Sequence, residues 1–420
     1  MIRLPARLRI AAVLLALTAA ACSDDAPDPL LPELPAPARP NPHPDRAFLL
    51  EAARGAWSYA AAECQPNTGL INSVADYPYA TVWDIASGLA AIHCAGELGI
   101  IPASDADARL RRALTTLETL RLFDGIAPNK NYSTATGAIA GRDDRDPPTA
   151  RGYGWSATDI GRLLVWLKII AVQRPEHAAA VQRIVARMDL AQIVRDGYLQ
   201  GREVSPAGEL LRYQEGRLGY EQYAAYGFAL WGHRAEAALR LRENAVPVQA
   251  LGIPLLADRR GDDFLTSEPF ILAGLELGWN RDMRELATGV LQAQEERHRR
   301  TGQPTFVSED AIPRAPFYFY YYAVSYRGQP FVVGAQGTSA IFDEPRWISA
   351  KAAFAWHALL PSAYTRLGAE AVAPARSPTK GWSSGVYEAG RAPTGSENVN
   401  TAAVILQAAL YGVSRQPLVQ

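Results

Sequence analysis

Apolar residues recur at every third or fourth position along most of the chain, the spacing that places them on one face of an α-helix. This spacing predicts a helix over 82–92 and another over 110–120, with Ser104 as the N-cap of the second. Ser156 to Asp159 form a capping box that predicts the start of a helix over 160–170, on which Arg162 is interpreted as a surface charge. Six more helices are predicted near 176–190, 219–243, 268–277, 280–301, 346–360 and 398–412.

Strand-like sequence is rare, and the best candidates are 317–324 and 329–333, which are predicted to pair. Three apolar segments, 87–99, 224–232 and 269–278, contain small residues and end at glycine, so their helices can approach their neighbours closely. Repeated helix-plus-loop units of this kind predict an all-α domain of about twelve helices in two layers. A closed ring and an open solenoid both fit, and the absence of a fixed repeat period favours the ring.

The N-terminus has the pattern of a bacterial lipoprotein signal. Arg3, Arg7 and Arg9 precede the apolar run 10–21, which is too short to cross a bilayer, and three alanines lead directly to Cys22. This pattern predicts a signal peptide over 1–21 and lipidation of Cys22. An ordinary secretory signal cut just before the cysteine is the alternative. The lipoprotein interpretation places the protein in the bacterial cell envelope, anchored by lipid and facing the periplasm or the surface.

The segment 22–46 is rich in proline, which favours a semi-extended tether between the lipid and the rest of the protein. No second proline-rich break follows, so 47–420 is predicted to be a single domain. Cys64 and Cys94 are then the remaining thiols in an oxidising compartment. The sequence leaves open whether these two form a disulfide.

Composition excludes several classes of function. Lys and Arg number 42 against 43 Asp and Glu, and no basic stripe is present, so nucleic acid is not an expected partner. The motifs of phosphate, dinucleotide and zinc sites are absent, which predicts no cofactor and no metal. Gly381 to Gly385 match the serine-hydrolase pattern GxSxG, but the last histidine, His357, lies upstream, where that chain order does not allow the catalytic base.

Acidic side chains recur beside aromatic or glycine residues near predicted helix starts and segment ends. They are Asp84 next to Trp83, Glu215 and Glu221 around Tyr220, Glu268, Glu309 with Asp310, and Glu388 after Trp382. Each carboxylate alone could simply offset a helix macrodipole. Together they favour a carbohydrate cleft, because alternate helix starts in an antiparallel ring share one rim, where acids and aromatic faces can bind a sugar.

Several motifs resemble the bacterial DUF3131 family over about 50–415. They are Thr81–Ser87, Asn129–Thr134, Gly154–Ser156, Glu215–Glu221, Val307–Asp310 and Asn398–Thr401. This family is similar to glycoamylase-like proteins, which include β-1,2-glucan hydrolases and a domain of cyclic β-glucan synthases. The resemblance implies an (α/α)6 toroid with a cleft on its rim and inverting hydrolysis by two carboxylic acids.

The resemblance also implies roles for single residues. Glu221 falls where glycoamylase-like sequences carry acids after a glycine-tyrosine segment, and Glu309 with Asp310 roughly match a later acidic segment. We therefore expect Glu221 as the general acid and Glu309 or Asp310 as the base, with the reverse assignment open. The remaining residues are expected to bind substrate: Asp84, Glu215, Glu268 and Glu388 through sugar hydroxyls, and Trp83, Tyr220 and Trp382 by stacking.

The leading hypothesis is a monomeric, membrane-anchored glycoside hydrolase that acts on a periplasmic or exported polysaccharide such as a β-glucan. A second hypothesis is a glycan-binding or export-assisting lipoprotein that uses the same cleft without turnover. A third is a helical scaffold that recruits partners to an envelope polysaccharide machine. The third hypothesis predicts a filled centre without a cleft.

Overall fold

Twelve α-helices are joined by short strands and 3₁₀ turns in the computed structural model, which describes residues 28–32, 43–142, 148–260 and 263–419. The predicted signal peptide and Cys22 lie outside the described residues. The helices are α1 (Arg46–Ala62), α2 (Val82–Glu97), α3 (Ala103–Thr119), α4 (Ala157–Gln173), α5 (Ala178–Ala186), α6 (Tyr220–Ala229), α7 (Glu236–Leu239), α8 (Glu268–Glu276), α9 (Arg281–Thr301), α10 (Ala350–Leu359), α11 (Ala363–Ala371) and α12 (Val399–Ser414).

The even-numbered helices form a closed inner ring. Each of α2, α4, α6, α8 and α10 contacts the next even-numbered helix, and α12 contacts both α10 and α2. Each odd-numbered helix packs outside the ring on its even-numbered neighbour. Every residue of α8 and of α10 is buried, as expected for helices that are covered on all sides. These contacts agree with the predicted two layers and with a ring instead of an open solenoid.

Small residues set the closest approach between inner helices. A methyl group built on Gly161 of α4 would lie 2.5 Å from the Cβ of Ala224 in α6. One built on Gly227 of α6 would lie 2.1 Å from the carbonyl oxygen of Gly161. The two backbones therefore touch, which is the role that the sequence predicted for the small residues of segment 224–232.

The strands are short and pair antiparallel at the ends of the helices. They are β1 (Tyr79–Thr81), β2 (Leu122–Phe123), β3 (Ala127–Pro128), β4 (Asn131–Ser133), β5 (Gly154–Trp155), β6 (Val194–Arg195), β7 (Tyr198–Val204), β8 (Leu210–Gln214), β9 (Ala245–Ala250), β10 (Ile253–Asp258), β11 (Glu309–Arg314), β12 (Phe317–Tyr326), β13 (Gln329–Ala335), β14 (Trp347–Ser349), β15 (Arg376–Ser377), β16 (Gly381–Trp382) and β17 (Gly385–Tyr387). The predicted pairing of β12 with β13 is confirmed, and β11 adds a third strand that positions Glu309 opposite Tyr321.

Some predicted helix boundaries are wrong. Helix α3 begins at Ala103 after Pro102, so Ser104 lies inside its first turn and is not the N-cap. The predicted helix over 219–243 ends at Ala229, and Gly232 takes a left-handed conformation before the short α7. Helices α1 and α11 were not predicted, because their buried positions are mostly alanine, glycine and aromatic residues without a regular apolar series.

The two cysteines that could have formed a disulfide are free thiols. Cys94 is fully buried in the ring helix α2, and Cys64 is half-buried just after α1, where its thiol faces the carbonyl oxygen of Gly69 at 3.8 Å. Among the described residues, every helix is too short or too polar to cross a bilayer.

Candidate functional site

The first residues of the inner helices meet at one end of the ring, which we call the rim. The rings of Trp83 in α2 and Tyr220 in α6 lie 5.7 Å apart between their centroids. Lys351 Nζ in α10 lies 2.5 Å from Glu268 Oε2 in α8, and Asn400 Nδ2 in α12 donates to Glu268 Oε1 at 2.5 Å. Three of the predicted site residues, Trp83, Tyr220 and Glu268, therefore lie at the rim.

Three half-buried carboxylates occupy the side of the rim formed by α2 and α4. Asp84 closes the capping box of α2, accepting from the backbone N–H and the hydroxyl of Thr81 at 3.0 and 2.8 Å. In α4 the hydroxyl of the N-cap Ser156 donates to Asp159 Oδ1 at 2.9 Å and accepts from the Asp159 backbone N–H at 3.2 Å. Glu215 accepts from the first backbone N–H of α4. Helix capping thus places Asp84 and Asp159, and a hydrogen bond to a helix start holds Glu215 beside them.

Burial raises the pKa of all three of these carboxyl groups, Asp84, Asp159 and Glu215. Burial and the charge of Glu215 raise the pKa of Asp159 to about 7, although hydrogen bonds from Ser156 and the Trp83 backbone oppose this shift. Burial also raises the pKa of Asp84, and hydrogen bonds from Thr81 oppose the rise. A carboxyl group that keeps its proton near neutral pH beside other carboxylates is the pattern of a general acid.

A second acidic group lies across the rim and is organised by one buried lysine. Lys351 Nζ lies 2.5 Å from Glu268 Oε2, 2.5 Å from the carbonyl oxygen of Glu309 and 3.4 Å from Asp310 Oδ1. The indole N–H of Trp347 donates to Asp310 Oδ2 at 2.8 Å. Burial opposes the charge of Lys351, but the carboxylates of Asp310 and Glu268 outweigh it and raise the lysine pKa. Burial raises the pKa of Asp310 to about 6 against the opposing charge of Lys351.

The Glu309 side chain points toward the aromatic part of the rim. Its Oε1 accepts from the guanidinium of Arg217 and from the hydroxyl of Thr266, the latter at 3.1 Å. The same guanidinium lies 4.6 Å from the centroid of the Tyr220 ring. Burial raises the pKa of Glu309, and Arg217 opposes this rise. Because Lys351 at the start of α10 binds the Glu309 backbone, and α10 is opposite α4 in the ring, Glu309 lies across the rim from Asp159.

The interior of the ring below the rim contains a fully buried ion pair. Arg162 Nη1 lies 3.1 Å from Glu276 Oε1, and neither side chain is exposed. Trp166 donates to the same oxygen at 2.9 Å, and Tyr223 donates to the other. The Arg162 guanidinium also lies 4.8 Å from the centroid of the Trp83 ring. The prediction of a surface charge at Arg162 was wrong, since its α4 position faces the ring interior.

Glu221, the predicted general acid, faces away from this cluster. It is fully buried, with Oε2 2.5 Å from Arg260 Nη1 and Oε1 3.3 Å from the backbone nitrogen of Leu199 in β7. Successive residues of a helix are rotated by about 100°. Tyr220 faces Trp83, so the next residue turns toward the strands outside the ring.

Glu388 and Trp382 also lie apart from the cluster. Both oxygens of Glu388 bind the guanidinium of Arg297 in α9, at 2.7 and 2.8 Å. Trp382 is only 5% exposed and donates to the carbonyl oxygen of Ala52 in α1 at 3.0 Å. Both side chains therefore fix rim strands to outer helices.

Sequence reasoning missed Asp159, Arg217, Lys351 and Asn400 as members of the rim. Asp159 was noticed, but its capping box indicated only a helix start. Lys351 could have been identified from the sequence, because it is the one charged residue in the apolar helix Ala350–Leu359. A lysine in such a helix must be paired when the helix is buried.

Two groups of possible metal ligands among the described residues lie near the opposite end of the ring. They are His43, Asp45 and His357, and Asp107, Glu176 and His177. Both groups already bind arginine side chains: Arg366 Nη1 lies 2.9 Å from Asp45 Oδ1, and Arg174 Nη1 donates to Asp107 Oδ1 at 2.8 Å. Neither group is part of the rim cluster.

Comparison with known proteins identifies a family and a shared fold. The family model described as a protein of unknown function (DUF3131) matches residues 51–414, which confirms the resemblance seen in the motifs. No curated protein matches the sequence.

Three solved structures illustrate the shared fold. An endo-β-1,2-glucanase from Chitinophaga pinensis, in complex with sophorotriose and glucose, is 13% identical with a TM-score of 0.66 over 89% of this chain and 94% of that one. A variant endo-β-1,2-glucanase from Talaromyces funiculosus, in complex with β-1,2-glucan, is 12% identical with a TM-score of 0.57 over 89% and 85%. A glucoamylase from Hormoconis resinae is 10% identical with a TM-score of 0.50 over 89% and 74%. At these identities the likeness concerns the fold.

Proposed function

The chain belongs to the DUF3131 family, and on that premise we propose that it is a monomeric glycoside hydrolase of the bacterial cell envelope with an (α/α)6 toroid fold. The observation that carries the proposal is the rim cluster. Asp159, with a pKa near 7, lies beside two further half-buried carboxylates and across the rim from Glu309. Half-buried Trp83, whose ring lies 5.7 Å from that of the buried Tyr220, provides aromatic surface of the kind that contacts sugar rings.

The chemistry proposed is inverting hydrolysis by two carboxyl groups. Asp159 protonates the leaving glycosidic oxygen, and Glu309, held beside the cation of Arg217, activates water on the opposite face of the sugar. An inverting pair should lie about 6.5–9.5 Å apart. Asp159 replaces Glu221 as the acid because Glu221 faces away from the rim cluster, toward Arg260 and the backbone of Leu199. Asp84, Glu215 and Glu268 are left to orient sugar hydroxyls.

The proposed substrate is a β-1,2-glucan in the periplasm or exported from the cell. Support comes from the shared fold with endo-β-1,2-glucanases, whose complexes contain sophorotriose or β-1,2-glucan. An α-linked glucan is the competing substrate, since a glucoamylase has the same fold. We further propose that Cys22 carries the lipid that holds the enzyme at the membrane.

The test is to incubate residues 22–420 with linear β-1,2-glucan and, separately, with soluble starch, and to measure new reducing ends. We expect release from the β-1,2-glucan. Asp159→Asn and Glu309→Gln should each lower kcat/KM at least about 100-fold, the usual contribution of a general acid or base. Proton NMR of the first product should show inversion at the anomeric carbon.

A matched control is Asp105→Asn. Asp105 is also an acid in the first turn of a helix, but it lies in the outer helix α3 and pairs with Arg109 at 3.1 Å. This variant should keep full activity. Full activity in Asp159→Asn would overturn the acid assignment, and no product from any glucan would overturn the hydrolase proposal.

A second candidate function is glycan binding without turnover. It is supported by the ion pairs that occupy five of the predicted acids: Glu221 with Arg260, Glu268 and Asp310 with Lys351, Glu309 with Arg217 and Glu388 with Arg297. Calorimetry with β-1,2-gluco-oligosaccharides separates the two candidates. Saturable binding without release of reducing ends would favour the binding protein.

A further inference from the structure

Part of the predicted tether is docked on the folded domain. Asp28 Oδ2 lies 2.6 Å from Arg234 Nη2, and Asn280 Nδ2 donates to the carbonyl oxygen of Leu30 at 3.0 Å. The side chains of Leu30 and Leu31 pack against the hydrophobic core. Residues 28–32 are therefore held in place, although the whole of 22–46 was predicted to be a semi-extended tether.

The docked segment lies at the end of the ring opposite the rim. Arg234 follows the last residue of α6, and Asn280 follows the end of α8 as the N-cap of α9. The first residues of α6 and α8 are Tyr220 and Glu268, which belong to the rim. Because a helix advances about 1.5 Å per residue, the ten residues of α6 separate the two ends by about 15 Å.

Docking also shortens the reach of the anchor. Cys22 is six positions before Asp28 in the sequence. An extended chain spans at most about 3.5 Å per residue, so the lipid attached to Cys22 would lie within about 20 Å of the docked segment. This distance is less than half of what a free tether extending to residue 46 would allow.

The same end of the ring exposes apolar side chains. Val172, the second-last residue of α4, is 47% exposed, and Val413, the second-last residue of α12, is 42% exposed. These are two of the seven large apolar side chains that are exposed among the described residues. Single exposed valines are ordinary on a protein surface, so they do not by themselves indicate lipid, but Val172 gives a position at this end where the approach of a membrane can be measured.

We propose that the end of the ring that carries the docked segment 28–32 faces the membrane, and that the rim faces away from it. The proposal rests on the lipid anchor at Cys22 proposed above. It has a consequence for the substrate: a glucan reaches the rim from the aqueous side, without passing between the protein and the bilayer. The end of the ring opposite the rim would then contact the lipid surface directly.

Fluorescence quenching tests this orientation. The lipidated full-length protein carries Cys64→Ser, so that a fluorophore reacts only with an introduced cysteine, since Cys94 is fully buried. One form carries Val172→Cys, and the other carries Tyr318→Cys, an exposed side chain whose hydroxyl contacts Ser396 just before α12 at the rim. Both are reconstituted in phosphatidylcholine vesicles that contain lipids with nitroxide head groups. We expect the label at position 172 to be quenched several-fold more than the label at 318.

The control detaches the segment without changing the ring. Asp28→Ala, Leu30→Ser and Leu31→Ser together remove the ion pair and the apolar contacts, so the difference between the two labels should shrink. Equal quenching in the parent protein, or stronger quenching at 318, overturns the orientation. Protein that does not float with vesicles overturns the anchor and the orientation together. Reducing-end release from β-1,2-glucan in detergent is measured separately, so failure of the hydrolase proposal remains distinguishable.

Discussion

At the scale of single residues, the position of an acid on its helix decides what it can do. Asp84 and Asp159 are both the third residue of an inner helix, and both hydrogen-bond to an N-cap. Glu221 is one residue past Tyr220 and forms a buried ion pair instead. The sequence could predict that acids gather at helix starts. It could not predict which of them face the rim, because rotation of a helix about its axis is fixed by packing.

The raised pKa of Asp159 makes both activity and stability depend on pH. A general acid must be protonated, so kcat/KM on β-1,2-glucan should fall as the pH rises through about 7. The unfolded chain loses this proton near its ordinary pKa of 3.8, so the folded state binds more protons between that value and about 7. The contribution of Asp159 to the free energy of unfolding should therefore decline across this interval and be constant above it.

The measurement is urea denaturation at a series of pH values, for the parent protein and for Asp159→Asn. The asparagine does not titrate, so the difference in stability should move in favour of the variant as the pH rises from about 4 to about 7. A difference that stays constant over this range would contradict the raised pKa.

Lys351 is the cation that lies beside both Glu268 and Asp310. Lys351→Met should lower the free energy of unfolding by about 3–5 kcal/mol, because Glu268 and Asp310 would stay buried without their partner. Activity should fall as well, since the Glu309 backbone loses the ammonium that holds it. Urea denaturation and reducing-end release measure the two effects. Lys168→Met is the control: Lys168 is half-buried in α4, lies over the Trp231 ring, and should change stability by less than about 1 kcal/mol.

At the scale of elements, apolar periodicity identified most of the inner helices. The periodic signal was weak in helices whose buried positions are mostly alanine and glycine. Helices α2, α4 and α12 were predicted close to their observed positions, whereas α1 and α11 were missed. Periodicity also could not end α6 at Ala229, because apolar and small residues continue past Gly232. The close contact at Gly161 shows why small residues matter here: they set the distance between ring helices.

Two glycines in inner helices should respond in opposite directions to the same substitution. Gly161→Ala places its methyl group 2.5 Å from the Cβ of Ala224, which should destabilise the protein by about 1–3 kcal/mol through overpacking. Gly88→Ala in α2 meets Ile71 at 3.5 Å, an ordinary contact, and should stabilise by up to about 1 kcal/mol because alanine favours a helix. Thermal or urea denaturation measures both. Equal changes in the free energy of unfolding would mean that α4 and α6 can move apart to accommodate the added methyl group at little cost.

At the scale of the whole molecule, the contact between α12 and α2 closes the ring. These helices are separated by about 300 residues, and no local pattern in either one specifies its partner. The closed ring was predicted from the absence of a fixed repeat period and from the family resemblance of motifs such as Asn398–Thr401. The sequence could not predict that residues 28–32 dock on the domain, because a proline-rich composition predicts a tether whether or not part of it binds to the domain.

A closed ring of helices should unfold as one cooperative unit. Leu406 in α12 is fully buried, and Leu406→Ala should lower the free energy of unfolding by about 2–5 kcal/mol. Since α12 contacts both α10 and α2, the most protected amides of α2 should lose protection from hydrogen exchange by the same free energy as those of α12. Leu367→Ala, at a 38% exposed position in the outer helix α11, should change both by less than about 0.5 kcal/mol. Loss of protection in α12 with α2 unchanged would instead indicate an array whose ends unfold independently.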